Sequence, residues 1–386
     1  MMKNSNLSIE PWGLDLEERI RVLENAKRGG KKIALYYAKG PDSSTFRYRC
    51  FNVWQATLES KKWQAVFFFR DELRILEKMI PECDLLVFSR QSRWDGVIKK
   101  LADIARSGDI SVVFDLDDLV FDKKYLHVVA NTIGELGSLD YWLPYFSDIN
   151  KTADYMDGFL VTNSFLGEKI SAEFDKPYRV IRNSLNKEQL SASAAYLRLK
   201  NSLKEKGVFK MGYFSGSPTH VNDFEVALSE ILEFLKLHSD AKLRVVGLME
   251  FDVRAGEYLE GGRIEFVPPV DFRKLQRLMA EVDVNIAPLV VNDFTNCKSE
   301  LKFFEAGVVE TTTIASPTYT FAKAIKDGEN GFLAQPGEWY DKLEYLYKNP
   351  KENRKIALAA KKYALKHYYG EEFLKEVEEA YEYFAK

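Results

Sequence analysis

The sequence predicts an α/β protein made of two doubly wound, Rossmann-like parallel-sheet domains in succession, finished by C-terminal helices. Three observations predict it. Short, almost wholly apolar runs recur in two series, amphipathic stretches of helical period separate them, and a polar helical stretch near residue 190 divides the series. At 386 residues the chain exceeds the usual size of one core, which independently favours two domains of roughly 180 residues.

The elements follow in order. Leu14, Ile20, Leu23 and Ala26 fall near one face of a helix over 14–28, which Gly29 and Gly30 stop, so residues 1–30 read as a helical extension. A buried strand follows at 31–38. Strands at 63–69, 84–90 and 111–117 then alternate with helices at 71–80 and 94–106, and an aromatic and polar segment over 121–150 breaks the rhythm before strands at 158–164 and 178–184. The first domain therefore spans 31–186, and residues 187–207, polar and helical in pattern, form a linker. The second series has strands at 208–216, 242–248, 263–268, 282–289 and 311–317, with helices at 223–238, capped by Asn222 or Asp223, and at 271–281 and 298–307. It makes a domain over 208–365, after which 366–386 is a C-terminal helix that packs back on the first domain.

Composition narrows the class. Apolar residues make up 46% and charged residues 29%, enough core to fold without disulfides or a structural metal. The net charge of −3 gives no global attraction to nucleic acid. Cys50, Cys83 and Cys297 are odd in number and far apart, which fits a reducing cytoplasm rather than a disulfide framework or metal site. No apolar run reaches 18 residues and the N-terminus lacks the shorter apolar core of a signal peptide, so neither a membrane span nor a signal peptide is expected. A peripheral membrane contact through KKYLHVV (123–129) or KKYALKHYYG (361–370) is weighed against an ordinary solvated helix face. Oligomeric state is not readable.

Ligands of open α/β sheets bind beyond the carboxyl ends of the strands. The first strand of each domain runs into KGPDSST and SGSPTH rather than GxGxxG, which removes the dinucleotide fingerprint and leaves paired Rossmann-like domains facing across a cleft. The SGSPTH turn can offer backbone N–H groups to an anion. Lys298 and Glu305 are seven residues apart, which on a continuous helix returns to about the same face, roughly 10 Å along the axis. A cation suits a diphosphate there, and a carboxylate suits a diol. The bland alternative is an exposed ion ladder of Lys298, Lys302 and Glu305.

The run APLVVNDFTNCKSELKFFEAGVVETTTIASPTYTFAKAIKDGENGFLAQP resembles the donor-site region of bacterial group 1 (family 4-like) glycosyltransferases, retaining enzymes of the GT-B fold. GYFSGSPTHVNDFE resembles the start of the same domain. The resemblance covers about residues 208–336. It implies that Glu305 binds the ribose of a nucleotide diphosphate sugar, that Lys298 and the SGS turn hold the diphosphate, and that the base lies near VPP. The implied donor set is Gly216, Ser217, His220, Pro268, Lys298, Ser299, Leu301 and Glu305, with Lys298, Glu305 and Asp117 in catalytic roles. The acceptor, a glycan, a lipid-linked molecule or a protein, falls to Arg47, Arg49, Asp115, Asp118 and His127 of the first domain. No metal or other cofactor is implied. Two departures stand out: Cys297 occupies the position of a Glu that contacts the donor sugar in many members, and the usual Arg and Lys pair after the domain's first strand is missing, with His220 and Lys298 as replacements. Cys297 also motivates an alternative, a non-catalytic relative that binds nucleotide sugar or a partner transferase.

A third reading comes from VVFDLDDLVFD (112–122), which is similar to the nucleophile strand of haloacid-dehalogenase phosphatases and would make Asp115 a nucleophile. Leu119 stands where that family needs Thr or Val, and the string follows several strands instead of opening the domain. An acceptor-domain strand ending in carboxylates is the favoured account.

Overall fold

The computed structural model describes residues 12–42, 44–91, 94–130, 139–216 and 221–386. Two compact units divide the chain. The first holds the described residues up to Asp117, then Tyr145–Glu188 and Glu371–Lys386; the second holds those of Asp118–Pro144 and Gln189–Gly370.

In the first unit the strands are β1 (Lys32–Ala38), β2 (Trp63–Phe68), β3 (Leu85–Ser89), β4 (Ser111–Leu116), β5 (Gly158–Val161) and β6 (Tyr178–Val180). They form one parallel sheet in the order β2-β1-β3-β4-β5-β6. β2, β3, β4 and β5 are buried along their whole length, as apolar runs covered by helices on both faces require. Capping carboxylates start the covering helices: Asp15 accepts from the Glu18 N–H at 2.8 Å, and Asp95 accepts from the Val97 N–H at 3.1 Å. The helix Glu371–Phe384 completes this unit, with Tyr381 and Tyr36 sharing a buried hydroxyl contact of 2.7 Å and Glu382 accepting from the Trp63 indole at 2.8 Å.

The second unit carries β7 (Phe209–Ser215), β8 (Ala241–Gly247), β9 (Ile264–Val267), β10 (Val284–Ala287), β11 (Thr312–Ala315) and β12 (Phe332–Leu333), again all parallel. The order β9-β8-β7-β10-β11-β12 is that of a dinucleotide-binding sheet, and the chain reverses its direction of winding between β7 and β10. Side chains from the neighbouring ends of those two strands therefore border the crevice where such sheets bind ligands. Gly247 closes β8 at φ +116, and a Cβ there would sit 1.8 Å from the Ser215 carbonyl oxygen, so no other residue fits the pinch between the ends of β7 and β8.

Several expectations change. The segment 121–150 contains the start of a helix, Leu139–Tyr155, whose buried Phe146, Ile149 and Ala153 keep a helical period despite Pro144. The short strand β12 falls inside the run that carries the family resemblance, where no strand was expected. Asp223 is not a cap: its helix begins at Val221, and its carboxylate accepts from the Val290 N–H at 2.9 Å. The helix expected over 298–307 begins at Leu301, which removes Lys298 from it.

Candidate functional site

In the second unit β10 runs into a loop and a short helix, Asp293–Asn296, before the helix Leu301–Gly307. Asn292 starts the first of these by accepting from the Thr295 N–H at 2.9 Å. Asn285, buried in β10, donates to the Lys302 carbonyl and to the Thr313 hydroxyl, both at 3.0 Å, which locks the second helix to β10 and β11. Gly307 lets the helix Pro350–His367 approach, since a Cβ would lie 3.2 Å from the Ala360 carbonyl oxygen.

Glu305 sits on this helix, buried at 2% exposure, and accepts from the Gln189 amide at 2.8 Å. A charge so far from water needs hydrogen-bond partners. Lys298 lies in the turn before the helix, so the shared-face geometry read from the seven-residue spacing does not exist. Its ammonium is 3.1 Å from Asp118 and 4.5 Å from the centre of the Phe294 ring. Tyr125, in the same segment as Asp118, donates to Asp293 at 2.7 Å; its burial and that carboxylate push the phenol up to about 12. Asp118 and Tyr125 thus hold one segment against the loop that carries Lys298. His127, farther along it, is exposed.

Lys302 corrects the expected ion ladder. It is 9% exposed, its ammonium has no hydrogen-bond partner among the described residues, and it lies 5.0 Å from the centre of the Tyr213 ring on β7. Burial, offset in part by Asp223, pushes it down to about 8. Its signal in the sequence was the spacing to Phe303, Phe304 and Ala306, all buried, which leaves little of this helix for solvent.

Gly216 is exposed just past β7, Ser299 and Leu301 are partly buried beside Lys298, and Pro268 is exposed just past β9. Ser217 and His220 lie outside the described residues. Cys297 is fully buried.

The comparisons bear on this unit first. Residues 210–349 match the family described as Glycosyl transferases group 1. Other residues of the run that carries the resemblance hold its loops in place. Ser316, just past β11, accepts from the Leu289 N–H at 2.9 Å, and Asp327 accepts from the Leu333 N–H at 2.8 Å. No curated protein matches the chain. Solved structures match over nearly the whole chain at low identity. HepE of Anabaena in complex with UDP is 14% identical, with 91% of this chain and 99% of that one covered and a TM-score of 0.58. A glycosyltransferase from Rickettsia africae gives 12% identity, 92% and 98% coverage and a TM-score of 0.59. WaaG, a glycosyltransferase involved in lipopolysaccharide biosynthesis, gives 12%, 91%, 99% and 0.57. The fold is the GT-B glycosyltransferase fold.

In the first unit, the residues expected to meet an acceptor and the expected catalytic Asp117 separate into two groups. Arg49 and Asp115 pair bidentately at 2.8 and 3.0 Å, 0% and 1% exposed, and Arg49 also donates to Asn183 at 3.2 Å. Withdrawn from solvent and bonded to each other, they bind β4 to the strand-end loops; this corrects their acceptor assignment and leaves Asp115 unable to attack a phosphate. Arg47 is likewise buried, in a π-helical turn, Arg47–Phe51, and donates to the Tyr48 hydroxyl at 2.6 Å, not a surface arginine. Asp117 remains partly accessible. It pairs with Arg90 at 2.8 Å and accepts from Thr45 at 3.1 Å, while Arg90 also donates to Tyr145 at 3.0 Å. Arg90 has φ +39, rare for a residue with a side chain, and it follows β3 at the sheet's carboxyl edge. Arg90 closes the strand that the sequence predicts over 84–90, at the edge where the acceptor site is expected.

Among the described residues no three His, Cys, Asp or Glu side chains are grouped to hold a metal, and no helix is long and apolar enough to cross a membrane. In the tail run KKYALKHYYG, Tyr368 is buried and donates to Glu300 at 2.5 Å, so that residue belongs to the core.

Proposed function

We propose that the protein transfers a glycosyl group from a nucleoside diphosphate sugar to a hydroxyl of a glycan, lipid-linked or protein acceptor, with retention at the anomeric carbon and without a metal. Glu305 carries the reading. It is a buried carboxylate, steadied by Gln189, on the helix that follows β10 beside the switch point of a Rossmann-ordered sheet, inside the segment that matches the family. There it accepts two hydrogen bonds from ribose hydroxyls. The reading is supported by HepE, whose structures contain UDP and UDP-glucose.

In this mechanism the bond between the anomeric carbon and the diphosphate oxygen breaks, and the acceptor oxygen bonds to that carbon from the same face. The acceptor's proton passes to a phosphate oxygen, and the electron pair leaves with the diphosphate. The protein's part is orientation and charge stabilisation rather than a covalent intermediate. Lys298, tied to Asp118, fixes the loop before the Glu305 helix. In the first unit, Asp117 with Arg90 and Thr45 provides the polar group suited to acceptor hydroxyls.

Glu305→Ala is expected to lower kcat/KM about 100-fold or more, the scale of two hydrogen bonds to a charged group. The assay is release of nucleoside diphosphate from a set of nucleotide sugars, with folding checked by circular dichroism. Undiminished turnover in a folded variant would remove Glu305 from the site.

Cys297 favours a second reading, a relative that binds nucleotide sugar without transferring it. It would be supported by calorimetric binding of a nucleotide sugar with no hydrolysis or transfer across a broad acceptor panel.

A further inference from the structure

Among the described residues, Lys302 is a buried charge whose ammonium has no hydrogen-bond acceptor. Each of its three N–H donors lacks an acceptor among the described residues, and the ammonium is out of contact with water. An ammonium in that state costs several kcal/mol unless something compensates. The charged groups around it supply little. From β7 it meets the face of the Tyr213 ring; Asp223, on the helix after β7, attracts it but also accepts from the Val290 N–H; Lys298, in the loop before its own helix, repels it. Ordinary core design would place Met or Leu here.

The location gives the charge a use. Lys302 follows β10 and packs over β7, the two strands between which the sheet reverses its winding and where an anionic ligand of this fold arrives. Lys298, the cation that the sequence pattern put forward for that anion, already faces Asp118 and Phe294. We propose that Lys302 is the cation that receives the diphosphate of the donor, its unused donors being completed by phosphate oxygens when the nucleotide binds. The inference rests on the glycosyltransferase reading for the identity of the ligand, though not for the presence of a phosphate site. The flexible four-carbon stem lets the ammonium turn toward an entering anion. Because burial has lowered this lysine to about 8, phosphate binding should draw a proton onto it in mildly alkaline solution.

The test uses the full chain, wild type and Lys302→Met, with UDP, GDP, ADP, uridine and inorganic pyrophosphate as probes in a calorimeter. If a nucleoside diphosphate binds, Lys302→Met should weaken it about 30-fold or more at pH 7, the scale of one charge-assisted contact. Uridine, where it binds, should be unaffected. At pH 8, with UDP fully ionised, wild type should take up about half a proton on binding and the variant none; buffers of different ionisation enthalpy read this, and a merely structural lysine would not produce it. The unliganded variant should melt no lower than wild type, and a fall of several degrees would mean that Lys302 is a structural residue and overturn the proposal. Equal nucleotide affinity in the two proteins without proton uptake would overturn it while leaving the donor reading intact. If no nucleotide binds but pyrophosphate binds wild type and not the variant, the donor reading fails and the phosphate site stands. If neither binds wild type, both fall.

Discussion

Two lysines stand at the two ends of one short helix, Leu301–Gly307, and they are treated in opposite ways. Beyond its C-terminal end, Lys200 donates to the carbonyls of Val309 and Glu310 at 2.6 and 2.5 Å and to the Thr311 hydroxyl at 3.0 Å. All three donors are used, at the end where the helix dipole favours a cation. In the first turn, Lys302 uses none, at the end where the dipole opposes it. A partly buried lysine that is fully bonded is a structural clamp, whereas a buried one with no acceptor is kept for something that binds. The same contrast separates the units: Arg49 in the first is buried even more deeply than Lys302 in the second, yet Asp115 answers it bidentately.

The largest effect is expected where a satisfied charge is broken. Arg49→Met leaves Asp115 buried and alone and should cost about 3–5 kcal/mol of stability, read from denaturant unfolding. A cost below 1 kcal/mol would mean the pair is not the clamp it resembles. Lys200→Met comes next, at about 2 kcal/mol, because the carbonyls past the helix lose their donor. If Lys200→Met and Lys302→Met cost the same, the distinction between clamp and ligand site collapses.

How much of this was legible in the sequence follows the same line. Strand positions were readable because apolar runs flanked by turns need no knowledge of partners, and the Rossmann-like class followed from their alternation. Glu305 was readable because its helix carries a recognisable local pattern. The states of Lys298, Lys302, Arg49 and Asp115 were not, since each depends on residues far away in the chain: Asp118 lies 180 positions from Lys298, and Arg49 lies 66 from Asp115. Spacing put Lys298 and Glu305 on one helix face; the chain instead turns at Lys298 and starts the helix at Leu301, a choice that local propensity does not dictate. Lys302 was passed over as a solvated charge because nothing within a few residues announces that Tyr213 and Asp223 will cover it.

The smallest expected effect tests the comparison without any ligand. A lysine held near 8 in the folded chain and near 10.4 in the unfolded one binds fewer protons when folded across that interval, so stability must rise with pH there. For Lys302 the gain between pH 7 and pH 9 should be about 1 kcal/mol, since folding at pH 7 keeps an unpaired ammonium that pH 9 largely neutralises. Other groups titrate in the same range, and subtracting the profile of Lys302→Met removes them. The difference curve should be flat below pH 7 and climb toward pH 10. A difference that falls with rising pH would show that the folded protein holds that proton more tightly than the unfolded chain does. Lys302 would then have an acceptor in the unliganded state, and its place as the lysine kept for a ligand would be lost.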